Sequence, residues 1–395
     1  MTTMTDISTA TPARWLAVTS VAVGTFTIVT SEMLPVGLLT SIAADLGVSA
    51  GTAGLTMSAP GLVAAVSAPV LALTARRLDR RVILLGLMAL LAVANLAAAL
   101  APNHPVMLAA RVLTGVSIGG FWAFAAGLGT RLVPGPSVGR ATSIILAGVS
   151  VASVLGVPAA TFVSSFAGWR SAFAAMGVVA LALLVLLAVT LPPLPGPSEE
   201  RPGPVAGSGQ AGRFAWLSGP LKVVLVLTVL IVSGHFAAYT YLRPFLEQVS
   251  HAGPALVGTA LLLYGAAGVA GNFAAGARAA RNPRAVLMIL AGLMAVATAA
   301  LPLVGLPLAV LVVWGLGYGG VGVTLQLWIM RSGGGELGTA LFVGAFNVSI
   351  ALGSFAGGRI VDGVSITAVM WLGAGLAVLS AAVAGIWGRS TTTGS

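Results

Sequence analysis

Long apolar stretches alternate with short polar breaks along almost the whole chain. Twelve of the stretches are about 20 residues or longer, which is the length of helix that crosses a hydrocarbon core of roughly 30 Å. They lie at residues 14–40, 50–74, 82–101, 105–130, 139–166, 171–191, 220–247, 253–278, 284–302, 306–330, 336–361 and 366–388. The pattern therefore predicts an all-α membrane protein with twelve transmembrane helices.

One break is much longer than the others and is rich in proline, glycine and charged residues. It covers residues 192–219, and such a composition forms a flexible or polyproline-like linker rather than a packed core. The linker separates a six-helix half at residues 1–191 from a second half at residues 220–395. The sequences of the two halves are weakly similar, as in Val149-Ser-Val-Ala152 and Val348-Ser-Ile-Ala351. Two similar halves predict a transporter whose substrate site lies between them near the membrane midplane.

The basic residues fall mostly at alternate breaks between the apolar stretches. Of the 19 Lys and Arg residues, all but Arg111, Arg170, Arg243 and Arg359 lie at one set of ends. Because basic loops stay in the cytoplasm, both termini and the linker are predicted to be cytoplasmic. These topology signals, together with attraction of basic loops to anionic lipid, are sufficient to explain why the chain carries a net charge of +10. A nucleic-acid partner is therefore not expected.

Composition and short motifs exclude several kinds of chemical site. The chain is 58% hydrophobic, has a mean hydropathy of +1.04 and contains no cysteine, which excludes disulfides, thiolate catalysis and cysteine metal sites. The single lysine, Lys222, is followed by Val223, so no phosphate-binding G-K-[ST] motif exists. Residues 315–320 fit G-x-G-x-x-G, but they lie inside an apolar stretch rather than after a soluble strand. No enzyme activity, metal or cofactor is expected, and a proton gradient is the expected energy source.

Three short motifs are similar to those of a known family. They are Asp79-Arg80-Arg81 between the second and third stretches, Arg111-x-x-x-Gly115-x-x-x-Gly119 in the fourth, and Gly156-Val-Pro158 in the fifth. These motifs, and the chain as a whole, resemble the major facilitator superfamily and its bacterial twelve-span drug:proton antiporter group. The resemblance implies a role in conformational change or packing for the residues of the first motif, for the two glycines, and for Gly156 and Pro158.

The resemblance leaves the substrate open. The run from Gly119 through Phe121 and Trp122 and the segment Thr240-Tyr-Leu-Arg-Pro244 resemble purine-ribonucleoside efflux transporters. In contrast, Thr30-Ser-Glu32-Met-Leu-Pro resembles the sugar-efflux branch. The excess of arginine over lysine indicates a GC-rich bacterial coding bias, so a bacterial cytoplasmic membrane is the expected location.

Glu32 and Arg111 are the candidates for proton coupling. An ionised carboxylate deep in an apolar span is costly, so such a group favours binding and release of a proton. Counting back from residue 40 at 1.5 Å per residue places Glu32 roughly 12 Å inside the membrane, and Arg111 lies at a similar depth. The two side chains can then pair when Glu32 is ionised. The alternatives are an exposed Glu32 near the outer end of its span and an Arg111 that extends outward to the interface.

Six further residues are candidates for substrate binding, because polar and aromatic side chains at membrane depth face protein or a wet cavity. They are Phe121, Trp122, His235, Tyr239, Gln326 and Asn347. The alternative for the aromatic pair is core packing, and for His235 it is an internal hydrogen bond. Glycines at i and i+4, such as Gly115 and Gly119, let helices approach closely.

These observations favour proton-coupled export of a small organic molecule, such as a drug, a nucleoside or a sugar, by alternating access. The expected partners are that substrate, protons and bilayer lipid, and a monomer is expected. The alternatives are a proton-coupled or facilitative uptake transporter and a membrane sensor or scaffold that transports nothing.

The predicted topology is directly testable because the chain contains no native cysteine. We expect Ser198→Cys in the linker and Ser390→Cys near the carboxyl end to resist a membrane-impermeant thiol reagent in intact cells. Both should react after the membrane is permeabilised. Ready labelling of either position in intact cells would reverse the topology.

Overall fold

The computed structural model confirms the twelve-span helical architecture. It describes residues 14–75, 77–125, 127–195, 219–304, 307–332 and 335–388, with the main chain alone for 335–337. Most of the predicted linker and the positions Arg76, Ser198 and Ser390 lie outside the described residues. Twelve helical segments are long and apolar enough to cross a membrane, and the described residues contain no β-strand.

In chain order the helices are α1 (Trp15–Asp45), α2 (Ala50–Thr74), α3 (Arg80–Ala99), α4 (His104–Ala125), α5 (Gly129–Leu132), α6 (Val138–Val151), α7 (Val157–Ala167), α8 (Trp169–Thr190), α9 (Gly219–Tyr239), α10 (Leu242–Gln248), α11 (Pro254–Ala279), α12 (Pro283–Ala300), α13 (Pro307–Gly319), α14 (Val321–Arg331), α15 (Gly335–Gly363) and α16 (Ile366–Trp387). Spans 1 to 4 are α1 to α4, span 5 is α6 with α7, and span 6 is α8. Spans 7 to 9 are α9, α11 and α12, span 10 is α13 with α14, and spans 11 and 12 are α15 and α16. The short helices α5 and α10 lie in connections.

Span 7 is shorter than its apolar pattern predicts. The helix ends at Tyr239 and the chain turns before α10 begins at Leu242. Pro244 accounts for this break, because proline has no N–H to donate to the carbonyl of residue 240. Span 4 likewise ends at Ala125 rather than near residue 130, and α5 follows as a separate turn.

Polar side chains cap several span starts. Ser49 accepts a hydrogen bond from the N–H of Thr52, and Ser365 accepts one from Ala368 (3.1 Å each). Asn282 does the same for span 9. Such caps satisfy N–H groups that have no partner within the helix, which fixes where each span enters the membrane.

The two halves repeat one packing scheme. In the first half, span 1 packs on spans 5 and 6, span 3 on spans 4 and 6, and span 2 on span 4. In the second half, span 7 packs on spans 11 and 12, span 9 on spans 10 and 12, and span 8 on span 10. Adding six to each span number of the first set produces the second set. The fold is therefore two pseudo-symmetric six-helix bundles.

Three hydrogen bonds between the halves lie at one membrane face. We call the face that carries residues 14, 195, 219 and 388 the linker side, and the opposite face the far side. At the far side, Asp362 in span 11 accepts hydrogen bonds from the N–H of Gly51 (2.9 Å) and the hydroxyl of Ser49 (2.6 Å) at the start of span 2. Arg243 of α10 donates to the carbonyl of Gly37 in span 1. Asp362 thus places a negative charge at a helix N-terminus of the other half, which is a favourable arrangement.

Spans 2 and 11 also meet backbone to backbone at the far side. A side chain at Gly51 would overlap the carbonyl of Gly358, and one at Gly54 would overlap the hydroxyl of Tyr241. That hydroxyl donates to the carbonyl of Ser354 (2.8 Å). Glycine is therefore required where these spans cross, and the halves are closed on the far side.

We expect the Asp362 hydrogen bonds to stabilise this closure. Spin labels on cysteines at the exposed positions Ala44 and Val364 report the separation of the two far-side ends. Asp362→Ala should shift the population toward longer distances severalfold, since hydrogen bonds to this exposed carboxylate contribute about 0.5–1.5 kcal/mol.

The matched control is Asp45→Ala, because the ion pair and hydrogen bonds described for Asp45 join it to Arg170 and Trp169 of the first half. Its distance distribution should match that of the parent protein. An unchanged distribution in the Asp362 variant would refute the role assigned to Asp362.

Candidate functional site

Arg111 joins three helices of the first half from inside the protein. It is fully buried in span 4, with 0% of its surface exposed. Its Nε donates to the carbonyl of Thr56 in span 2 (2.9 Å). Its Nη1 and Nη2 donate to the carbonyls of Ser31 and Glu32 in span 1 (2.8 Å each). The outward-extended alternative for Arg111 therefore does not describe this structure.

Two of these three carbonyls are freed by prolines. In an α-helix each carbonyl accepts from the N–H four residues later, and proline has no N–H. Pro35 leaves Ser31 without that donor, and Pro60 leaves Thr56 without it. Arg111 replaces both donors with one guanidinium. The guanidinium of arginine is planar and carries five N–H groups, so it can donate to several acceptors at once.

Glu32 is buried beside this arginine, with 6% of its surface exposed. Among the described residues the Glu32 carboxylate forms no ion pair, unlike Asp45, which pairs with Arg170, and Glu247, which pairs with Arg243. Arg111 instead contacts Glu32 through its main-chain carbonyl. The carboxylate is near enough for electrostatic interaction with Arg111 and with Tyr318 of span 10. It therefore lies where the two halves meet, and proton uptake is one way to remove its charge.

The glycines after Arg111 let span 4 pack closely on its neighbours. A Cβ at Gly115 would lie 2.7 Å from the carbonyl oxygen of Pro60, and one at Gly119 would lie 2.6 Å from that of Ala64. Both contacts are with span 2. The close approach brings Arg111 within reach of the carbonyl that Pro60 frees.

Span 5 is irregular at the Gly156-Val-Pro158 motif. Residues Ala152–Gly156 form a π-helical turn between α6 and α7. Pro158 removes one intrahelical donor, and a π turn is a usual accommodation of such a defect. A Cβ at Gly156 would lie 2.7 Å from the Thr30 hydroxyl oxygen, so this turn packs against span 1 two residues before Glu32.

The Asp79-Arg80-Arg81 motif lies at the linker side, away from Glu32. Asp79 caps span 3 by accepting from the N–H of Arg81 (2.7 Å), and it also accepts from the N–H of Leu194 (3.0 Å). Arg80 donates its own N–H to the carbonyl of Leu194 (2.9 Å). In this structure the motif anchors the chain segment that leads out of span 6.

His235 and Tyr239 are part of a larger group of rings in the second half. Together with rings from spans 8 and 10 they form what we call the aromatic cluster: His235, Tyr239, Tyr264, Trp314 and Tyr318. Sequence reasoning identified the first two and missed the other three. Aromatic residues inside apolar stretches look like ordinary core residues, so no sequence signal distinguished them.

The cluster consists of near-parallel rings beside one perpendicular ring. His235 stacks on Tyr318 with centroids 3.3 Å apart and planes 6° apart, and on Tyr239 at 5.0 Å and 21°. Tyr239 in turn stacks on Tyr264 at 4.8 Å and 28°. Trp314 lies edge-on to His235, Tyr239 and Tyr264, at 71°, 89° and 78°. Tyr318 is the member of the cluster that lies within electrostatic range of Glu32 in the first half.

The other candidate residues lie apart from the cluster. Phe121 is buried in the first half, with its ring near Gly24 and edge-on to Trp122. Gln326 donates to the hydroxyl of Thr339 in span 11 (3.4 Å). Asn347 donates to the carbonyl one helical turn earlier (2.9 Å). Their substrate contacts stay predictions.

Comparison with known sequences identifies similar proteins. The profile of the Major Facilitator Superfamily matches residues 21–343. The chain is 35% identical over 383 residues to the transcription regulatory protein OpdE of Pseudomonas aeruginosa, and the match covers 95% of this chain and 94% of that protein.

Solved structures with the same fold include two transporters. A bacterial homolog of the human lysosomal transporter Spinster, in an inward-facing and occupied conformation, superposes with a TM-score of 0.76 at 15% identity, over 96% of this chain and 97% of that one. A variant of the nucleoside transporter NupG superposes with a TM-score of 0.74 at 13% identity, over 94% and 99% of the two chains. At these identities the likeness shows the fold alone.

The three hydrogen bonds of Arg111 predict that its substitution lowers the thermal unfolding temperature more than substitution of an exposed arginine does. Arg111→Lys retains the charge but cannot place donors at all three carbonyls, and an unsatisfied buried acceptor costs about 1–3 kcal/mol. We expect a clearly lower thermal unfolding temperature for the purified variant in detergent. Arg170→Lys, at the half-exposed pair with Asp45, should change it little.

A double-mutant cycle distinguishes hydrogen bonding by Arg111 from a general requirement for a positive charge at this position. Pro35→Ala restores an N–H that can bond to the Ser31 carbonyl, so Arg111→Lys should cost less in that background. Strictly additive effects of the two substitutions would contradict the proline–arginine relation.

Proposed function

The chain belongs to the Major Facilitator Superfamily, and from that premise we propose that it is a proton-coupled exporter of a small organic molecule. The fold is that of the transporters of this family. The substrate class we propose is that of a drug, a purine nucleoside or a sugar. Export occurs by alternating access across a bacterial cytoplasmic membrane, and the proton gradient supplies the energy.

The buried carboxylate of Glu32 carries this proposal. It lies in the middle of span 1, is 6% exposed and has no ion-pair partner among the described residues. Burying an uncompensated charge is expensive, whereas burying a neutral carboxylic acid is much less so. A carboxylate in this position therefore favours taking up a proton whenever the surrounding cavity closes, and releasing it when water enters.

Arg111 supports this role without neutralising the acid. Its three donors are committed to main-chain carbonyls, so its position does not depend on the charge of Glu32. A fixed positive charge near the carboxylate favours the ionised form, while burial favours the neutral form. Opposing influences of this kind make the proton affinity of Glu32 sensitive to small changes in hydration.

Closure on the far side is one of the two states that the proposed alternating-access cycle requires. With the linker and both termini in the cytoplasm, the far side faces outward. Asp362 and Arg243 then close the outer face, and a substrate enters from the cytoplasm. Protonation of Glu32 from outside in the opposite state completes an exchange of proton for substrate. The alternative is that the same parts serve proton-coupled or facilitative uptake.

A second candidate is suggested by the 35% identity to a protein named as a transcription regulator. In that case the chain acts as a membrane sensor and transports nothing. The mid-membrane Glu32 favours transport, because a sensor with no transport cycle has no need for a buried acid whose charge changes. The basic residues are also dispersed among separate loops, which does not favour direct DNA binding.

Glu32→Gln tests the proposal. A susceptibility and nucleoside-analogue panel on an expressing strain first identifies a transported compound. In everted vesicles with an acidic interior, the parent protein should accumulate it. Glu32→Gln should abolish gradient-driven accumulation and retain counterflow, because glutamine keeps the shape but cannot cycle a proton. Exchange of one proton for a neutral substrate also moves one charge, about 2.3 kcal/mol per 100 mV.

Asp45→Asn is the matched control, since it removes a carboxylate from the far-side end of the same span. It should transport normally. Normal gradient-driven transport by Glu32→Gln would show that the proton binds elsewhere. Accumulation by the parent protein that ignores the pH gradient would favour a facilitator, and no movement of any compound would favour the sensor.

A further inference from the structure

An apolar groove runs along the surface of spans 2, 3 and 4 toward the linker side. Two neighbouring cavities of about 560 and 350 Å³ form this groove, and both have Leu71 and Val116 in their walls. We call it the lateral groove, and its linker-side part is lined mainly by Leu71, Leu78, Val82, Gly86, Leu87 and Val116.

The lateral groove has the length and the surface that an acyl chain requires. Along span 2 it extends from Leu62 to Ala75, which is roughly 20 Å of helix at 1.5 Å per residue. One leaflet of the hydrocarbon core is about 15 Å deep. The groove residues Leu62, Val66 and Val82 are apolar and more than half exposed. An exposed apolar patch of this kind marks a contact with lipid or with a partner.

The guanidinium of Arg80 lies at the linker-side end of the lateral groove. Arg80 follows the groove residue Leu78 by two positions, and its guanidinium lies 5.3 Å from the centre of the Phe124 ring. Phe124 is one helical turn beyond Gly120, so the two share one face of span 4. A Cβ at Gly120 would lie 2.9 Å from the groove residue Leu71. The positive charge is therefore placed where the apolar groove ends.

Positive charge outweighs negative charge at this end of the groove. Arg80 lies within electrostatic range of Arg131 in α5, which is a second cation. The Nε of Arg80 is buried without a hydrogen-bond partner, and among the described residues no acid forms an ion pair with Arg80. The neighbouring Asp79 uses both carboxylate oxygens to accept from the main-chain N–H groups of Arg81 and Leu194. Since arginine forms strong hydrogen bonds with phosphate oxygens, these two cations favour a phosphate group.

We propose that the lateral groove binds one anionic phospholipid. An acyl chain lies in the groove, and the phosphodiester accepts hydrogen bonds from Arg80 and Arg131. The ammonium group of a zwitterionic lipid gains little here, because Asp79 is already bonded to the main chain. The site therefore selects a headgroup with a net negative charge, such as that of phosphatidylglycerol. The bound lipid joins the segment between spans 2 and 3 to α5. This inference goes beyond the proposed transport function and does not rest on it.

Native mass spectrometry of the purified full-length protein in detergent measures the affinity of the first bound lipid. The probes are phosphatidylglycerol and phosphatidylcholine with identical acyl chains. We expect the parent protein to bind phosphatidylglycerol more tightly. Arg80→Gln and Arg131→Gln should each weaken phosphatidylglycerol binding about fivefold, which is the effect of removing one basic residue from an anionic headgroup. Both variants should bind phosphatidylcholine like the parent protein, which also shows that they are folded.

Gly86→Phe tests the groove separately from the charge. A Cβ at Gly86 meets no other atom within 4 Å, so a larger side chain there occupies the groove without disturbing the packing of span 3. Because the acyl chain loses its place, Gly86→Phe should weaken the binding of both lipids.

Each kind of substitution has a matched control in the second half. Arg278→Gln removes an exposed arginine from the linker-side end of span 8. Gly292→Phe adds the same ring at an open position of span 9. Both controls should bind the two lipids like the parent protein.

Several outcomes would overturn the proposal. They are equal affinity of the parent protein for the two lipids, phosphatidylglycerol binding that ignores the Arg80 and Arg131 substitutions, and normal binding of both lipids by Gly86→Phe. Displacement of phosphatidylglycerol by inorganic phosphate would also overturn it, because the site would then take a free anion rather than a lipid.

Discussion

The buried guanidinium of Arg111 is the interaction on which the first half of the protein depends. Lipid-facing helices must satisfy their backbone groups internally, because no water is available in the hydrocarbon core. Pro35 and Pro60 break that rule in spans 1 and 2, and Arg111 restores it from span 4. The two prolines and the arginine therefore form one unit, because the arginine supplies the donors that the prolines lack.

Several other features follow from this unit. Arg111 reaches span 2 because Gly115 and Gly119 allow the two helices to touch. Ser31 also receives a hydrogen bond from Asn95 of span 3 through its hydroxyl (3.1 Å), so span 1 is tied to its neighbours at the residue before Glu32. The first half thus positions its acid rigidly. The second half instead presents stacked rings around His235.

The sequence predicted the fold well and the site only in part. Hydropathy shows where twelve helices lie because burial in lipid demands long apolar runs, but it missed the break before Pro244 since the apolar run continues through it. Glu32, Arg111 and His235 stand out as polar residues in apolar surroundings. Their partners do not: main-chain carbonyls have no sequence signature, and Tyr264, Trp314 and Tyr318 look like core residues until spans 8 and 10 are brought against span 7.

Glu32 differs from the other described acids in its depth within the membrane-spanning region. Among the acids that the structure describes, Asp45, Asp79, Glu247 and Asp362 lie at or near helix ends, where water can stabilise their charge. Glu32 lies in mid-span and is near enough for electrostatic interaction with Tyr318. A change in its charge therefore changes the electrostatic potential at a ring of the other half. If the two halves separate at this depth during transport, the phenol near Glu32 moves away from it, and the free energy of protonation changes. Linkage is reciprocal, so protonation must then shift the equilibrium between the two arrangements by the same factor, which is the minimum that coupled exchange requires.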